Sequence, residues 1–105
     1  KHDAGLTLNE LLNIVDDSLS AEGNFAVLLP YHRVDYFIDE ALKINFHLTQ
    51  KILVKQTPGH NYFRGILFFC RKKMKIAQSE ITIKNDEGNY TGEFILFLKD
   101  YYLDF

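Results

Sequence analysis

Little in this chain announces chemistry. A single cysteine, Cys70, excludes an internal disulfide and every CxxC metal pattern. Tryptophan is absent, and the only prolines are Pro30 and Pro58, so there is no Pro-Pro pair. The glycines, at 5, 23, 59, 65, 88 and 92, are scattered, which excludes a Gly-rich phosphate or dinucleotide loop. No Walker sequence, HExxH or GxSxG occurs. The histidines at 2, 32, 47 and 60 have no partner at metal-ligand spacing, so no metal site is expected. No apolar run reaches membrane-spanning length and no basic-then-apolar signal opens the chain, so the expectation is a cytoplasmic protein with no membrane partner. The net charge of −2 offers no global attraction to nucleic acid, and such contact must come from a local patch.

What is present is an ordinary globular pattern. A chain of 105 residues makes at most one small domain, and its aromatics, skewed to Phe and Tyr, favour β-structure. Thr7-Leu8-Asn9-Glu10 reads as a capping box, followed by the stripe Leu8, Leu11, Leu12, Val15 and Leu19. Gly23 is the expected left-handed terminator of that helix. Phe25 to Leu29 is a continuous apolar run stopped by Pro30, as in a parallel strand buried on both faces. A second helix is expected from about Arg33 to Asn45, with the stripe Val34, Phe37, Ile38, Ala41 and Leu42.

From Phe46 to Thr57, Leu48, Gln50, Ile52 and Val54 alternate against Thr49, Lys51, Leu53 and Lys55, which predicts a strand. Pro58-Gly59-His60-Asn61 turns into an antiparallel strand, roughly Arg64 to Cys70. Glu80 to Lys84 alternates again before the turn Asn85 to Asn89, which predicts a hairpin. Thr91 caps a last short helix carrying Ile95, Leu98 and Phe94. The order is that of an α/β domain: helix, strand, helix, strand, antiparallel strand, then hairpin and short C-terminal helix. A Rossmann-like class I methyltransferase has this order in its C-terminal half, where a reversed seventh strand inserts between the fifth and sixth. By that comparison residues 1–105 form the C-terminal part of one domain, with the N-terminal cofactor-binding half absent.

Candidate chemistry concentrates at strand ends. Tyr31, His32 and Arg33 follow the carboxyl end of the apolar strand, where open α/β sheets bind ligands. They either line a substrate mouth or simply begin the helix. The turn from Thr57 to Arg64 falls on the same rim and carries His60, Tyr62 and Arg64. It either holds phosphates and stacks on a base, or is a plain turn whose rings return to the core. Arg71-Lys72-Lys73-Met74-Lys75 leaves the opposite end of the sheet and reads as a solvated strand end, with a distant RNA phosphate contact as the alternative. Asp16-Asp17 and Asp39-Glu40 read as solvated helix faces, and Cys70 as a small buried hydrophobe.

With these residues in view, the chain resembles the C-terminal half of bacterial tRNA adenine-N6 methyltransferases that act beside the anticodon of a valine tRNA. The resemblance is carried by Lys1-His2, by Ser20 to Phe25, by Val27-Leu28-Leu29-Pro30, and by Thr57-Pro58-Gly59 with Arg64. Its most specific part is the tail: Glu80-Ile81-Thr82-Ile83, Glu87 to Thr91, Glu93-Phe94, and Lys99 to Phe105. The turn His60-Asn61-Tyr62-Phe63 departs from that family's Lys/Pro-rich pattern. The resemblance implies a class I fold, S-adenosylmethionine as methyl donor and tRNA as partner of the whole protein. The family's Gly-rich donor loop and its Asn-Pro-Pro-Tyr-type motif are not in this chain, so no catalytic or cofactor-binding residue carries over. The isolated chain is expected to bind no donor and to be inactive. Alternatives are a methyltransferase acting on another RNA base or a protein amide, and a stand-alone non-catalytic interaction module. With the first strands missing, Phe25 to Leu29 is expected to be an unpaired apolar edge that drives self-association.

Overall fold

The computed structural model describes residues 7–101, so Lys1-His2 and the 102–105 end of the tail lie outside the described residues. Strands β1 (Asn24–Pro30), β2 (His47–Lys55), β3 (Tyr62–Cys70) and β4 (Ala77–Thr82) form one sheet in the order β1-β3-β2-β4. Helices α1 (Leu8–Ser18) and α2 (Val34–Lys43) pack on one face, and α3 (Gly92–Tyr101) packs on the other. β3 runs antiparallel to both β1 and β2, which are therefore parallel to each other. It is the reversed strand expected between the two. β4 then pairs in parallel with β2 at the far edge, a long-range match that no local pattern indicated.

α1 begins as its capping box dictates: the Thr7 hydroxyl accepts the Glu10 N–H at 3.0 Å, and Glu10 accepts the Thr7 N–H at 2.8 Å. It ends earlier than expected. Leu19 is extended and donates its N–H to Val15, while Ser20 starts a separate turn that accepts the Gly23 N–H. Gly23 is thus not a left-handed cap; among the described residues only Asn45 and Gly88 have positive φ. Asn45 (φ 66°) terminates α2 instead. Its N–H bonds Leu42, the Phe46 N–H bonds Ala41, and buried Phe46 closes over buried Ala41, which together make a Schellman motif. A 3-10 turn, Tyr31–Arg33, precedes α2, whose regular helix starts at Val34.

Beneath α1 and α2 lies the larger core, in which Phe37, Phe46, Phe69, Leu67 and Val34 are fully buried. Each such side chain stabilises the fold by roughly 1.5–3 kcal/mol relative to exposure. Leu42 and Ile95, expected to face inward, are exposed, and Phe97 is the buried residue of α3. β1 is also corrected: Phe25, Val27 and Leu29 face the core, whereas Asn24, Ala26 and Leu28 are exposed. Its continuous apolar run is covered closely on one face only, because α3 sits over β2, β3 and β4 and leaves an open cleft between itself and Leu28.

Two bulges set the facing of the central strands. At Thr49 the β2–β3 register slips, so Leu48 joins the α1–α2 core while Ile52 and Val54 point to the α3 side. The expected shared face of Leu48, Gln50, Ile52 and Val54 is therefore split. Thr49 spans the slip by donating its hydroxyl to the Phe68 carbonyl at 3.2 Å. The second bulge, at Phe63, lies at the start of β3.

Arg71 is not a solvated strand end. Its guanidinium donates to the Ile44 carbonyl (2.8 Å) and the Asp16 carboxylate (2.6 Å), and lies 3.8 Å from the Phe46 ring centroid. One side chain thus ties α1, the end of α2 and the start of β2, and Asp16 is its partner, not a free surface acid. Glu40 likewise accepts from Asn9 of α1 at 2.8 Å and from Lys43 at 2.7 Å. Cys70 is half-buried.

At the other end of the chain the expected hairpin is reduced to a single bridge, Lys84 to Tyr90, around a turn closed by Gly88 (φ 83°). Thr91 caps α3 by accepting the Phe94 N–H at 3.1 Å, and the Glu93 carboxylate accepts the Thr82 N–H at 2.6 Å. The helix start is thereby fixed to the end of β4.

Helix and sheet approach closely at Gly65, where a Cβ would lie 2.5 Å from Val34 Cγ2. Gly65→Ala is therefore expected to destabilise by about 1–3 kcal/mol through overpacking. Combining it with Val34→Ala should cost less than the sum of the two single changes, measured by urea unfolding. Strict additivity would show that the two sites do not press on each other.

Candidate functional site

Because β1, β2 and β4 are parallel, their carboxyl ends open on the same rim, with the first residues of β3 between them. This is the position at which open α/β sheets bind ligands. Pro30 ends β1 and sends the chain through Tyr31–Arg33, while the turn after β2 returns it at Tyr62. The two segments meet: the Tyr31 and Tyr62 rings lie 5.4 Å apart, tilted by 46°. Lys55, the cross-strand neighbour of Tyr62, places its Nζ 5.1 Å from that ring's centroid. The Tyr62 hydroxyl donates to the Glu80 carboxylate of β4. That bond, with partial desolvation, raises the Tyr62 pKa above the usual phenol value, since ionising the phenol would lose the bond and set two negative charges together.

The remaining expected residues do not join this pair. Arg64 stands opposite Pro30, but the bulge at Phe63 turns both Phe63 and Arg64 to the α3 face. There they line an apolar cleft of about 420 Å³ with Leu28, Val54, Ile81 and Phe97. The Arg64 guanidinium lies 5.2 Å from the Phe63 ring and donates to the Phe63 carbonyl. Arg33 sits over Tyr36 at 5.6 Å, in the wall of a separate cleft between the starts of α1 and α2. In that wall Tyr36 donates its hydroxyl to Asn9, whose amide donates in turn to Glu40. The Lys43 bond, then the Asn9 bond, lowers the Glu40 pKa. His60 is held by the Thr57 hydroxyl within its turn, and His32 is exposed with no partner among the described residues.

Lys55 and Glu80 are the rim residues that the sequence pattern missed. Both read as strand alternation, and only the pairing of Lys55 with Tyr62 and of β4 with β2 brings them to the site. The one local signal was a lysine at a strand end facing an aromatic across a short turn. Among the described residues no group of His, Cys, Asp and Glu can hold a metal ion, and no helix is long and apolar enough to cross a membrane. The rim offers stacking surface and cations, and its turn holds the Thr57 hydroxyl against the His60 imidazole.

Sequence comparison adds what geometry does not. A tRNA1(Val) (adenine(37)-N6)-methyltransferase of Pseudoalteromonas translucida is 30% identical over 103 residues, which cover 98% of this chain and 44% of that protein. Identically named proteins of Flavobacterium psychrophilum (31% identical, 93% of this chain, 42% of that protein) and Trichodesmium erythraeum (29%, 100% and 44%) agree. The resemblance to that family holds. The chain spans less than half the length of the curated relatives it matches. No family model matches it. Among solved structures, one described as a predicted O-methyltransferase from Agrobacterium tumefaciens superposes with a TM-score of 0.71 at 12% identity, covering 89% of this chain and 45% of that one. The fold is accordingly the Rossmann-like α/β fold of methyltransferases.

The phenol–carboxylate bond is open to a direct check. Tyr62 is expected to ionise at higher pH than an ordinary phenol. Its raised pKa contributes stability that is complete below the ordinary phenol range and is lost as pH climbs through the folded value. In an absorbance titration of the tyrosinate band, Glu80→Ala, which removes the acceptor, should move one tyrosine back toward the ordinary range. An unchanged profile would show that Glu80 does not hold Tyr62.

Proposed function

We propose that this chain is the C-terminal part of an S-adenosylmethionine-dependent methyltransferase that modifies an adenine N6 of tRNA. In this reading it completes the sheet and forms one rim of the substrate cleft. The observation that carries the proposal is the match, over nearly the whole chain, to relatives that share this one name. The inserted antiparallel β3 supports it at the level of fold.

The division of labour follows from the residues. S-adenosylmethionine, when bound, supplies the methyl group, and its binding in this fold class needs a glycine-rich loop after a parallel strand. The parallel strands of this chain are followed by Tyr31-His32-Arg33, by Gln56-Thr57-Pro58-Gly59 and by Ile83-Lys84-Asn85, none of which lets backbone amides close around such a ligand. The residues do not fit the donor, and no step of the transfer belongs to them. Their part is positional: methyl transfer is an in-line displacement that rewards fixed geometry, and a rim with Tyr31 and Tyr62 suits a substrate with flat faces.

Two experiments separate the parts of this proposal. Sequencing the coding DNA upstream of Lys1 should show an Asn-Pro-Pro-Tyr-type run, with a glycine-rich loop further upstream. The protein from that whole reading frame should then transfer labelled methyl groups to a valine tRNA transcript and not to one with the target adenine replaced. The chain alone should give no heat on titration with S-adenosylmethionine; a micromolar dissociation constant would contradict the assignment of donor binding elsewhere.

The outer edge of β1 supports a further expectation. It has no strand partner among the described residues, and between Phe25 and Leu29 it carries no charge to discourage pairing. The chain by itself is expected to self-associate along this edge, its mass in light scattering rising with concentration. Placing lysines at exposed Ala26 and Leu28 should suppress the rise. A wild-type chain that stays monomeric at every concentration would refute the expectation.

A further inference from the structure

Along β2, one face carries a pattern that the rim alone does not use. A Cβ on Gly65 would touch Val34 of α2 and lie 3.8 Å from Leu53, which puts Leu53 on the face that α2 covers further along the sheet. Strand alternation places Lys51 and Lys55 on that same face, about 13 Å apart at the usual rise per residue. Their neighbours on β4, Gln78 and Thr82, flank Glu80, and Gln78 and Glu80 are exposed, so the β4 side of this strip is open, while Lys51 and Lys55 are half-buried. Neither lysine has a carboxylate partner among the described residues. At the carboxyl end of the strip stand Tyr62 and Tyr31, the latter 43% exposed.

We propose that this lysine–tyrosine strip binds a single-stranded ribonucleotide segment, with a base stacked on Tyr31 beside Tyr62 and phosphates on Lys55 and Lys51. The proposal deepens, and rests on, the reading of the whole protein as an RNA-modifying enzyme. The two kinds of residue select the ligand together. Lysines at this spacing attract a polyanion, and aromatic faces take bases that are not already stacked. A regular RNA duplex presents phosphates but hides its base faces, so it would leave the tyrosines unused. An acidic peptide would satisfy the lysines and likewise leave the rings idle. The platform is also set in advance: the Tyr62 hydroxyl is tied to Glu80, and its ring is flanked by Lys55 and Tyr31, so little ordering remains for the moment of binding.

The test is fluorescence anisotropy with a 5′-fluorescein single-stranded RNA heptamer, repeated with the same strand in a duplex and with a labelled decaglutamate, over a series of KCl concentrations. The heptamer is expected to bind better than either competitor. Tyr31→Ala should weaken it at least fivefold with the salt dependence unchanged, and Tyr31→Phe should restore binding. The double change Lys51→Ala, Lys55→Ala should weaken binding and flatten the log–log salt slope by about 1.4, two phosphates at about 0.7 each. All these positions except Tyr31 are half-buried, so circular dichroism accompanies each variant, and Tyr31→Ala at an exposed site gives the result least open to misfolding. Absence of heptamer binding, equal binding of the duplex or decaglutamate, or indifference to Tyr31→Ala would each overturn the strip. Methylation of tRNA by the whole protein together with unchanged heptamer binding in the variants would remove the strip and leave the enzyme reading intact. The reverse pattern, strip binding without tRNA methylation, would remove the enzyme reading alone.

Discussion

The antiparallel insertion of β3 between β1 and β2 is the constraint on which the rest of the molecule depends. Two parallel strands joined through a helix would normally lie side by side; here they are held one strand apart, and every hydrogen bond between them runs through β3. That strand must satisfy neighbours on both edges and cores on both faces at once. Its apolar residues Ile66, Leu67 and Phe69 are all buried, and Gly65 yields the space that Val34 needs. The same insertion brings the first residues of β3 to the carboxyl ends of β1 and β2, which is why Tyr62 reaches Tyr31. Topology and site are one arrangement.

The two faces of the sheet are finished unequally. On the α1–α2 face, aromatic rings interlock, with Phe25 against Phe46 and Phe69 at 4.9 and 5.1 Å, and Arg71 and Glu40 tie the helices at their ends. On the other face, a single short helix covers β2, β3 and β4 and leaves Leu28 of β1 exposed.

Much of this was legible in the sequence, for identifiable reasons. The capping box at Thr7, the stripe of α2, the turn at Pro58-Gly59 and the cap at Thr91 are local signals, set by residues a few positions apart. The features that were not legible all depend on distant partners. Nothing near Thr49 or Phe63 marks a bulge, yet those two residues decide which face Leu48, Ile52 and Arg64 occupy. Arg71 sits in a run that looks like a surface charge cluster, and only the folded chain supplies Asp16 and the Ile44 carbonyl. The apolar run of β1 suggested burial on both sides because composition records hydrophobicity, not what is available to cover it. The candidate rim was recovered in part for the same reason. The strand-end rule located it, but the side to which each residue turns was decided by a bulge in the case of Arg64 and by a helix start in the case of Arg33.

The paired bulges also bear on how a family with this fold can change length. Between Gln50 and Val54 the β2–β3 ladder is in strict register, so one inserted or deleted residue would exchange inward and outward side chains along the stretch. The bulges are the places where the ladder already holds an unmatched residue. Evolution therefore has two adjustment points at which a residue can enter or leave without inverting the strand's pattern, and one of them stands directly beside the Tyr31–Tyr62 pair. Related proteins could shift Tyr62 or Arg64 from one face to the other by a single-codon event there, altering what the rim presents while the cores below it stay as they are.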